Sequence, residues 1–432
     1  MKQSRLALMV FTVLFLSFSQ LSAQQMPQAR SDHLMLTYWG TNCRVVLFGG
    51  QDASGNFLND LWEYDGSWSE LSPTGTLPPV RAGHCGLVYS DRLYIFGGEG
   101  ETEYYNDMWY YDFAGNEWTE VTYASDAEPE PRKYAVMAYM MDLWTLYGGA
   151  ASYGSQYSDF WSFDSDEALW EDQEAVMPPS AGNTMCIKGN QHWAYGGIRW
   201  DPNDYRDDDR YCNFPGSWTY GYTSGDNPPP LAFPAFADRP VTESLMYMFG
   251  GENEDGTLGD LYSFDKVNTE WTNLSTLSNS RNTPPPLSHG GLAYYTNGSD
   301  TSLVMFGGLD STGTAVGNAW SYNIQAGSWS TVGVSEGPEA MTVQELSVSA
   351  APNPFLSSLT VSFSPAVAQA ELFIYSADGR IVRTLTELNG TSSFIWDGRT
   401  QDGIEAPAGV YILEISSNEA VESNFSKVVK TR

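Results

Sequence analysis

The chain has few of the residues that most often carry chemistry. Its 432 residues include only four histidines and four cysteines, and charged residues make up 17%. Lys and Arg number 21 against 53 Asp and Glu, which gives a formal net charge of -32 at pH 7. A surface this acidic repels nucleic acid and anionic membranes, so we expect no nucleic-acid partner. The hydrophobic fraction of 42% is enough for a folded core and excludes a disordered chain.

Recognisable catalytic motifs are also missing. The sequence contains no G-x-S-x-G elbow, no H-E-x-x-H pair and no P-loop. None of its cysteines has the C-x-x-C spacing of a metal or redox site. Their even number permits disulfides in an exported chain, buried free thiols are the alternative, and the spacing does not decide the pairing. The cysteines are Cys43, Cys85, Cys186 and Cys212. We predict no cofactor, with Ca²⁺ as the one candidate considered below.

Long hydrophobic runs are confined to the start of the chain. Lys2 and Arg5 precede an apolar run over residues 6–18, which ends in Leu21, Ser22 and Ala23. This pattern predicts a secretory signal peptide over residues 1–23. The run is shorter than the about 20 residues that span a bilayer as a helix. We therefore predict that the protein is not an integral membrane protein.

A β-rich pattern ending in an aromatic residue and a glycine pair recurs six times, at spacings of 48 to 57 residues. The first glycines of the pairs are Gly49, Gly97, Gly148, Gly196, Gly250 and Gly307. A second motif of the form Asp-x-Trp-x-Tyr/Phe-Asp follows in repeats one to three; repeat five has Tyr262 in place of the tryptophan, and repeat six has Asn318 and Asn323 in place of the aspartates. A tryptophan closes each repeat. These closing residues are Trp68, Trp118, Trp170, Trp218, Trp271 and Trp329. The fourth repeat departs from the second motif but keeps its glycine pair and its tryptophan.

This repeat resembles the Kelch family over roughly residues 28–335. Short strands with one buried face cannot form a stable sheet alone, whereas sheets stacked around an axis bury both faces. We therefore expect an all-β chain with a six-bladed Kelch-type β-propeller over residues 24–335. Each glycine pair would end a strand where side chains collide, and the aromatic residues would fill the space between blades.

Composition changes after the last repeat. We predict a linker over residues 336–344 and a small Ig-like β-sandwich over residues 345–432. Its expected strands are residues 359–363, 371–375, 380–385, 393–396, 410–415 and 425–429. Five short motifs follow one another in this part: Pro352-Asn353-Pro354-Phe355, Ser376-Ala377-Asp378-Gly379-Arg380, Trp396-Asp397-Gly398, Pro407-Ala408-Gly409-Val410-Tyr411 and Lys427-Val428-Val429-Lys430.

Those motifs resemble the C-terminal sorting domain of the type IX secretion system of Bacteroidetes. The resemblance implies that the secretion machinery recognises residues 345–432, and that the protein is secreted or held at the cell surface. A flagellar hook-cap type Ig-like domain shares the Trp-Asp-Gly element and is the alternative, although the terminal lysines argue against it. A β-domain that only stabilises the protein is a third interpretation.

One candidate site lies where the repeats begin. Arg30, Arg81 and Arg132 occupy the same position in repeats one to three, which places them at one mouth of the channel. Arginines there would bind an anion such as an acidic sugar or a peptide carboxylate. Pairing with loop aspartates is the alternative. His33 and His84 follow the first two arginines and are further candidates, with a structural role as the alternative.

A second candidate lies in the longer insertion of repeat four. Aromatic residues and clustered carboxylates there suggest ligand or Ca²⁺ binding, although the spacing does not match an EF-hand. A solvated acidic loop is the alternative. The residues are Trp200, Tyr205, Asp201, Asp204, Asp207, Asp208 and Asp209.

Two functions remain open at this point. The first is a non-enzymatic extracellular binding protein whose partner is a protein or a glycan. The second is a carbohydrate-active enzyme, such as a sugar mutarotase, lyase or oxidase, on the same scaffold. A convergent set of His, Tyr and carboxylates at the channel mouth would favour the enzyme, and a loop-built face without such a set would favour binding.

Overall fold

The computed structural model describes residues 25–40, 42–124, 127–140, 143–151, 155–175, 178–189, 191–198, 209–213, 218–238, 244–275, 283–298, 300–332, 347–376, 380–416 and 424–431. The chain divides into two compact units, Met1–Val334 and Ser335–Arg432. Strands make up the regular secondary structure of these ranges, and they contain no helix long and apolar enough to cross a membrane.

Among its described residues, the first unit contains six sheets of four or five strands, which we call blades one to six, and one two-stranded hairpin. Blade one has β1 (Arg30–Ser31), β2 (Leu34–Trp39), β3 (Cys43–Asp52), β4 (Phe57–Tyr64) and β5 (Trp68–Leu71). Blade two has β6 (Cys85–Tyr89), β7 (Arg92–Glu99), β8 (Tyr104–Asp112) and β9 (Glu117–Glu120). Blade three has β10 (Val136–Met140), β11 (Leu143–Tyr147), β12 (Phe160–Asp164) and β13 (Leu169–Asp172).

The second half of the ring is built in the same way. Blade four has β14 (Thr184–Lys188), β15 (Gln191–Tyr195), β16 (Asp209–Asn213) and β17 (Trp218–Tyr220). Blade five has β18 (Ser224–Gly225), β19 (Ala235–Ala237), β20 (Leu245–Phe249), β23 (Leu261–Asp265) and β24 (Glu270–Asn273), with the hairpin β21 (Glu252–Asn253) and β22 (Gly256–Thr257) between β20 and β23. Blade six has β25 (Gly291–Thr296), β26 (Thr301–Phe306), β27 (Ala319–Asn323) and β28 (Ser328–Val332).

Each blade takes its four main antiparallel strands from a single repeat, in chain order from the axis outward. The innermost strands are β2, β6, β10, β14, β19 and β25. Blade six closes the ring directly on blade one, where the Thr37 hydroxyl donates to the Tyr294 carbonyl at 2.8 Å. The predicted six-bladed propeller is therefore confirmed, and its closure needs no strand exchanged between repeats.

The glycine pairs are required where neighbouring blades meet. Gly49 and Gly50 have φ of 63° and 102°, and all six pairs share this left-handed backbone. The second glycine of each pair donates to a carbonyl of the next blade, as Gly50 does to Arg81 at 2.9 Å. A Cβ on Gly250 would lie 2.1 Å from the Leu287 carbonyl oxygen. Any side chain there would force the blades apart.

The tryptophans that close the repeats lie between blades, as predicted. Five of them, whose side chains the structure describes, contact the aromatic residue that precedes the glycine pair of the preceding blade: Trp68, Trp118, Trp170, Trp271 and Trp329. The ring centroids of Trp118 and Phe48 are 4.8 Å apart, and those of Trp68 and Phe306, across the closure of the ring, are 5.5 Å apart. Such pairs contribute about 0.5–1.5 kcal/mol beyond the area they bury. The repeated indoles therefore hold the ring together.

The second unit contains β29 (Ser347–Ala351), β30 (Leu359–Ser376), β31 (Ile381–Trp396), β32 (Gly409–Ser416) and β33 (Asn424–Lys430). The strands expected at 359–363 and 371–375 are one long strand, and so are those expected at 380–385 and 393–396. Register shifts within the β30–β31 pairing bend both strands without ending them. The two halves of the bent sheet pack around Trp396, Leu372 and Leu413, which gives the Ig-like sandwich.

Candidate functional site

One end of the propeller channel is closed by a circle of backbone hydrogen bonds. Six equivalent residues, one from each blade, each donate an N–H to the carbonyl of the preceding member, at 2.7 to 3.1 Å. We call this circle the mouth ring. Its members are Asp32, Gly83, Tyr134, Gly182, Phe233 and His289. All six have φ between 53° and 69°, so the left-handed turn at the start of each innermost strand aims the amide at its neighbour.

The side chains of the mouth ring meet across the axis. Tyr134 and His289, from the opposite blades three and six, have ring centroids 5.7 Å apart. Phe233 stacks on His289 at 4.1 Å and contacts Tyr134 edge-on at 4.8 Å. The space that they fill lies above Gly83 and Gly182, where a Cβ would come within 2.9 Å of Tyr134 and 2.3 Å of Phe233. Three aromatic rings therefore seal this mouth of the channel.

A buried ion pair completes the seal. Nδ1 of His289 lies 2.5 Å from Oδ1 of Asp32, and its Nε2 lies 3.8 Å from a carboxylate oxygen of Glu252. Burial lowers the pKa of His289, but the charge of Asp32 and its hydrogen bond outweigh that effect and raise the pKa above 6.5. Burial likewise raises the pKa of Asp32, and His289 more than offsets it, so that pKa is lowered. The pair is thus charged in weakly acidic solution.

The three arginines lie beside this mouth but do not face it. Arg30, Arg81 and Arg132 are 0%, 0% and 1% exposed. Each guanidinium makes a bidentate pair with an aspartate of its own blade, as Arg81 does with Asp107 at 2.7 and 2.8 Å. It also donates to the carbonyl of the first glycine of the pair, which for Arg132 is Gly148 at 2.9 Å. This geometry matches the alternative of pairing with aspartates, although Asp60 and Asp107 lie in strands and Asp159 directly precedes β12.

The aspartate of each arginine–aspartate pair accepts hydrogen bonds from two side chains. In blade one, Arg30 Nη1 and Nη2 donate to Asp60 at 2.6 and 2.7 Å, and Trp62 Nε1 donates to the same carboxylate at 2.7 Å. Burial raises the pKa of Asp60, but the hydrogen bond and charge of Arg30 outweigh it, so that the pKa is lowered. An anionic ligand would have to displace this carboxylate. The arginines therefore support the blades, and the expected basic half of the rim is neutralised.

His33 and His84 lie one residue beyond the mouth ring, buried between blades. The ring of His33 contacts Phe306 of blade six at 5.8 Å, and that of His84 contacts Phe48 of blade one at 5.4 Å. Burial lowers the pKa of His33 to about 3 and that of His84 well below 6.5. Both imidazoles are therefore neutral at pH 7, and both line the channel.

The insertion of blade four cannot be placed in this site. Trp200, Tyr205, Asp201, Asp204, Asp207 and Asp208 lie outside the described residues, and the described backbone resumes with Asp209 at the start of β16. The part of the chain that is described contains no group of three or more His, Cys, Asp or Glu placed to hold a metal ion. The Ca²⁺ hypothesis stays a prediction.

Behind the mouth ring, the channel contains a cavity of about 510 Å³. Its walls are the innermost strands of all six blades. Most of the lining is apolar, including Leu36, Val88, Met137, Ile187 and Phe236. A volume of this size lies within the range of about 300–1,000 Å³ that is typical of small-molecule sites.

Sequence reasoning missed the mouth ring. Asp32, Tyr134 and Phe233 stand two residues after the position of the three arginines, in the repeat register that the sequence already gave. Their side chains share no chemistry, because the ring is made by their backbones. Aligning the six repeats shows that these residues occupy equivalent positions, but it does not show that their backbone is left-handed.

Comparison with known proteins agrees with this architecture. The chain is 25% identical over 288 residues to Kelch domain-containing protein 1 of Mus musculus, which covers 58% of the chain and 68% of that protein. It is 32% identical over 145 residues to acyl-CoA-binding domain-containing protein 5 of Arabidopsis thaliana, with 33% of the chain and 22% of the relative covered. Host cell factor 1 of Homo sapiens matches at 25% identity over 240 residues, 50% of the chain and 11% of that protein. The chain thus spans a minor part of two of these three relatives.

Solved structures and family models give the same result. The structure titled "Structure of YjhT" superposes with a TM-score of 0.52 at 15% identity, and covers 71% of this chain and 98% of that one. Residues 355–420 match the FlgD Ig-like domain, which is the alternative considered for the C-terminal unit. Residues 2–197 and 182–353 match the KLHDC2/KLHL20/DRC7 Kelch-repeats domain. Together these matches span most of the propeller, and the chain belongs to that Kelch-repeat family.

Proposed function

We propose that the protein is an exported, non-enzymatic Kelch propeller that binds an extracellular protein or glycan through the loops around the mouth ring. Kelch propellers typically mediate protein interaction, which is the coarse function that the family match supports. The observation that carries the proposal is the sealed mouth. With the channel closed there, the loops after the glycine pairs and the linkers between blades form a continuous surface for a partner.

The charge of this surface indicates the partner's chemistry. The arginines beneath it are neutralised by their aspartates, and Lys133 pairs with Glu99. Exposed carboxylates remain on the loops and linkers of blades two, three and five: Glu101, Glu103, Glu128, Glu130, Glu254 and Asp255. A partner with positive charge, such as a basic protein segment or an amino sugar, fits this face better than the anion first considered.

Charge reversal tests the binding face. The mature chain would be screened against a glycan array with amino sugars and against matched basic and acidic peptides. The variant with Glu101→Lys, Glu103→Lys, Glu254→Lys and Asp255→Lys should lose the ligands that the natural protein binds. The control variant with Asp166→Lys and Glu167→Lys, in a turn at the other end of blade three, should keep them. Equal loss in both variants, or a preference for acidic peptides, would contradict the proposal.

A carbohydrate-active enzyme is the second candidate, because His289, Tyr134, Asp32 and Glu252 do converge at the mouth. This is the kind of set expected of an enzyme, but its geometry is poor for acid–base work. Both nitrogens of His289 face carboxylates, and Phe233 covers one face of its ring. Polarimetry of mutarotating sugars with natural protein and His289→Gln tests it. Catalysis that disappears in this variant would favour the enzyme over the binding protein.

We also propose that residues 1–23 direct export and that residues 345–432 act as a type IX sorting domain. Support comes from the sequence motifs and from the compact Ig-like fold of this unit. The experiment expresses the full chain and a chain ending at residue 335 in a bacterium that has this secretion system. The full chain should reach the medium or the cell surface, and the shortened chain should remain in the periplasm. Equal export of both chains would refute the sorting role.

A further inference from the structure

The propeller closes at a joint that the chain itself does not cross. A linker connects each blade to the next, but none connects blade six to blade one, and each blade takes its main strands from one repeat. Backbone hydrogen bonds hold this joint, from Gly308 N–H to the Arg30 carbonyl at 2.8 Å and from Arg30 N–H to the Val316 carbonyl at 3.1 Å. The ring can therefore open here without stretching a covalent connection.

The mouth ring has its charged pair at this same joint. Asp32 of blade one donates its N–H to the carbonyl of His289 of blade six at 2.9 Å. Their side chains also meet, since Nδ1 of His289 lies 2.5 Å from Oδ1 of Asp32 and the two side chains are 6% and 11% exposed. The other four members of the mouth ring carry no charge at neutral pH: Gly83, Tyr134, Gly182 and Phe233. The ion pair thus coincides with the joint that lacks a linker.

The groups that face His289 come from four blades. Burial lowers the pKa of His289, but the charge and hydrogen bond of Asp32, together with the charge of Glu252, raise it above 6.5. Lys133 of blade three opposes this rise, and its ammonium is paired with Glu99 of blade two. The mouth-ring aromatic residues that pack against the imidazole are uncharged. The carboxylates therefore decide when His289 carries a proton.

The pair is strongest in weakly acidic solution. Below the ordinary histidine pKa of 6.5, the imidazole is charged and the pair contributes its full stabilisation. As the pH rises through the raised pKa, His289 loses its charge, whereas Asp32 keeps its own because its pKa is lowered. A buried carboxylate is then left without its counter-charge, which is costly. The contact between blades six and one weakens on the alkaline side.

We propose that the Asp32–His289 pair is a pH-sensitive latch, which holds blade six on blade one in weakly acidic solution and lets this joint open in alkaline solution. The opening is local, because the other five joints are spanned by the chain and their mouth-ring members include no histidine. Proton binding and ring closure are then coupled, so that each favours the other. The latch belongs to the scaffold and does not depend on which ligand the loops bind.

Hydrogen–deuterium exchange followed by mass spectrometry tests the latch on the mature chain with its C-terminal unit. Peptides with Asp32 and Gly308 report on the closing joint. Peptides with Gly98 and Tyr134 are the internal control, because these N–H groups make the equivalent bonds between blades two and three at 2.8 and 2.7 Å. After correction for the intrinsic pH dependence of exchange, protection at the closing joint should fall roughly tenfold between pH 6 and pH 9, and protection at the control joint should not. Equal changes at both joints, or no change at either, would overturn the proposal.

Substitutions assign the effect to the pair. Asp32→Asn should remove the pH dependence at the closing joint. Glu252→Gln keeps the pair but removes a charge that favours the imidazolium, so it should move the loss of protection to lower pH, and it serves if the first variant does not fold. The matched control, Glu254→Gln, changes an exposed carboxylate two residues away and should leave the midpoint where it is. A pH dependence that persists in Asp32→Asn, or an unmoved midpoint in Glu252→Gln, would refute the latch.

Discussion

Replacing Arg81 by Met should cost the propeller about 3–5 kcal/mol of folding free energy. Met keeps much of the apolar stem but removes the guanidinium, which donates to the Pro79 and Gly97 carbonyls at 3.1 and 2.9 Å and twice to Asp107. The side chain is fully buried, so no water replaces these bonds. Because Asp107 keeps 22% of its side chain exposed, solvent recovers part of the loss, and we expect a value near the lower limit.

The assay is urea unfolding followed by tryptophan fluorescence, with the propeller transition compared between variants. Arg92→Met is the matched control, because Arg92 also pairs with an aspartate, Asp112, but its side chain is 40% exposed. Exposed pairs contribute about 0–1 kcal/mol, so this variant should unfold near the natural midpoint. A loss below about 1 kcal/mol for Arg81→Met would refute the structural role and return the arginine to the ligand hypothesis.

Three further predictions concern the mouth. Asp32→Asn should cost about 3 kcal/mol at pH 6, which lies between the ordinary pKa values of the two partners. The cost should fall as the pH rises through the raised pKa of His289, because the imidazole then loses its charge; a cost that does not fall with rising pH contradicts the ion pair. His33, whose pKa is lowered to about 3, should show no imidazole titration by NMR between pH 8 and 5. Its burial should also make the protein less stable as the pH falls below 6.5, because the unfolded chain then binds a proton that the folded one does not. A titration midpoint of His33 near 6.5 would show that the ring is solvated. Gly182→Ala should destabilise the protein by roughly 3 kcal/mol in thermal unfolding, because alanine is strained in the left-handed backbone and its Cβ would lie 2.3 Å from Phe233. The control Gly55→Ala, also left-handed but with open space around the Cβ, should cost about 1 kcal/mol in the same experiment. Similar losses for both variants would mean that Phe233 moves aside at little cost.

The propeller was predictable because its requirements recur in every blade. A close approach of backbones requires glycine, and the space between neighbouring sheets requires a large aromatic ring. A glycine equivalent to Gly49 and a tryptophan equivalent to Trp68 are therefore found in all six repeats. The fate of the arginines was harder to predict. Register places Arg81 at one end of the channel, but it does not show that Asp107 of the same blade folds onto it. Blade five has Asp260 in the aspartate position but Leu231 in the arginine position. When the six repeats are aligned, the arginine and the aspartate therefore do not always occur together.

The parts that sequence reasoning missed depend on backbone geometry. The mouth ring uses amide groups, and its six positions have nothing in common as side chains. In the C-terminal unit, the sequence analysis expected separate strands at residues 359–363 and 371–375, and at residues 380–385 and 393–396. The structure keeps β30 and β31 continuous through shifts in register, which a residue pattern does not show.

The mouth ring also has a consequence for how this end of the molecule can change over time. Main-chain groups make the circle, so mutation at the four positions that already carry a side chain leaves the closure intact as long as the new residue accepts the unusual backbone angle. Aspartate, tyrosine, phenylalanine and histidine already share the position with glycine. A lineage could therefore exchange the chemistry displayed at the end of the axis, one blade at a time, while the scaffold beneath stays the same.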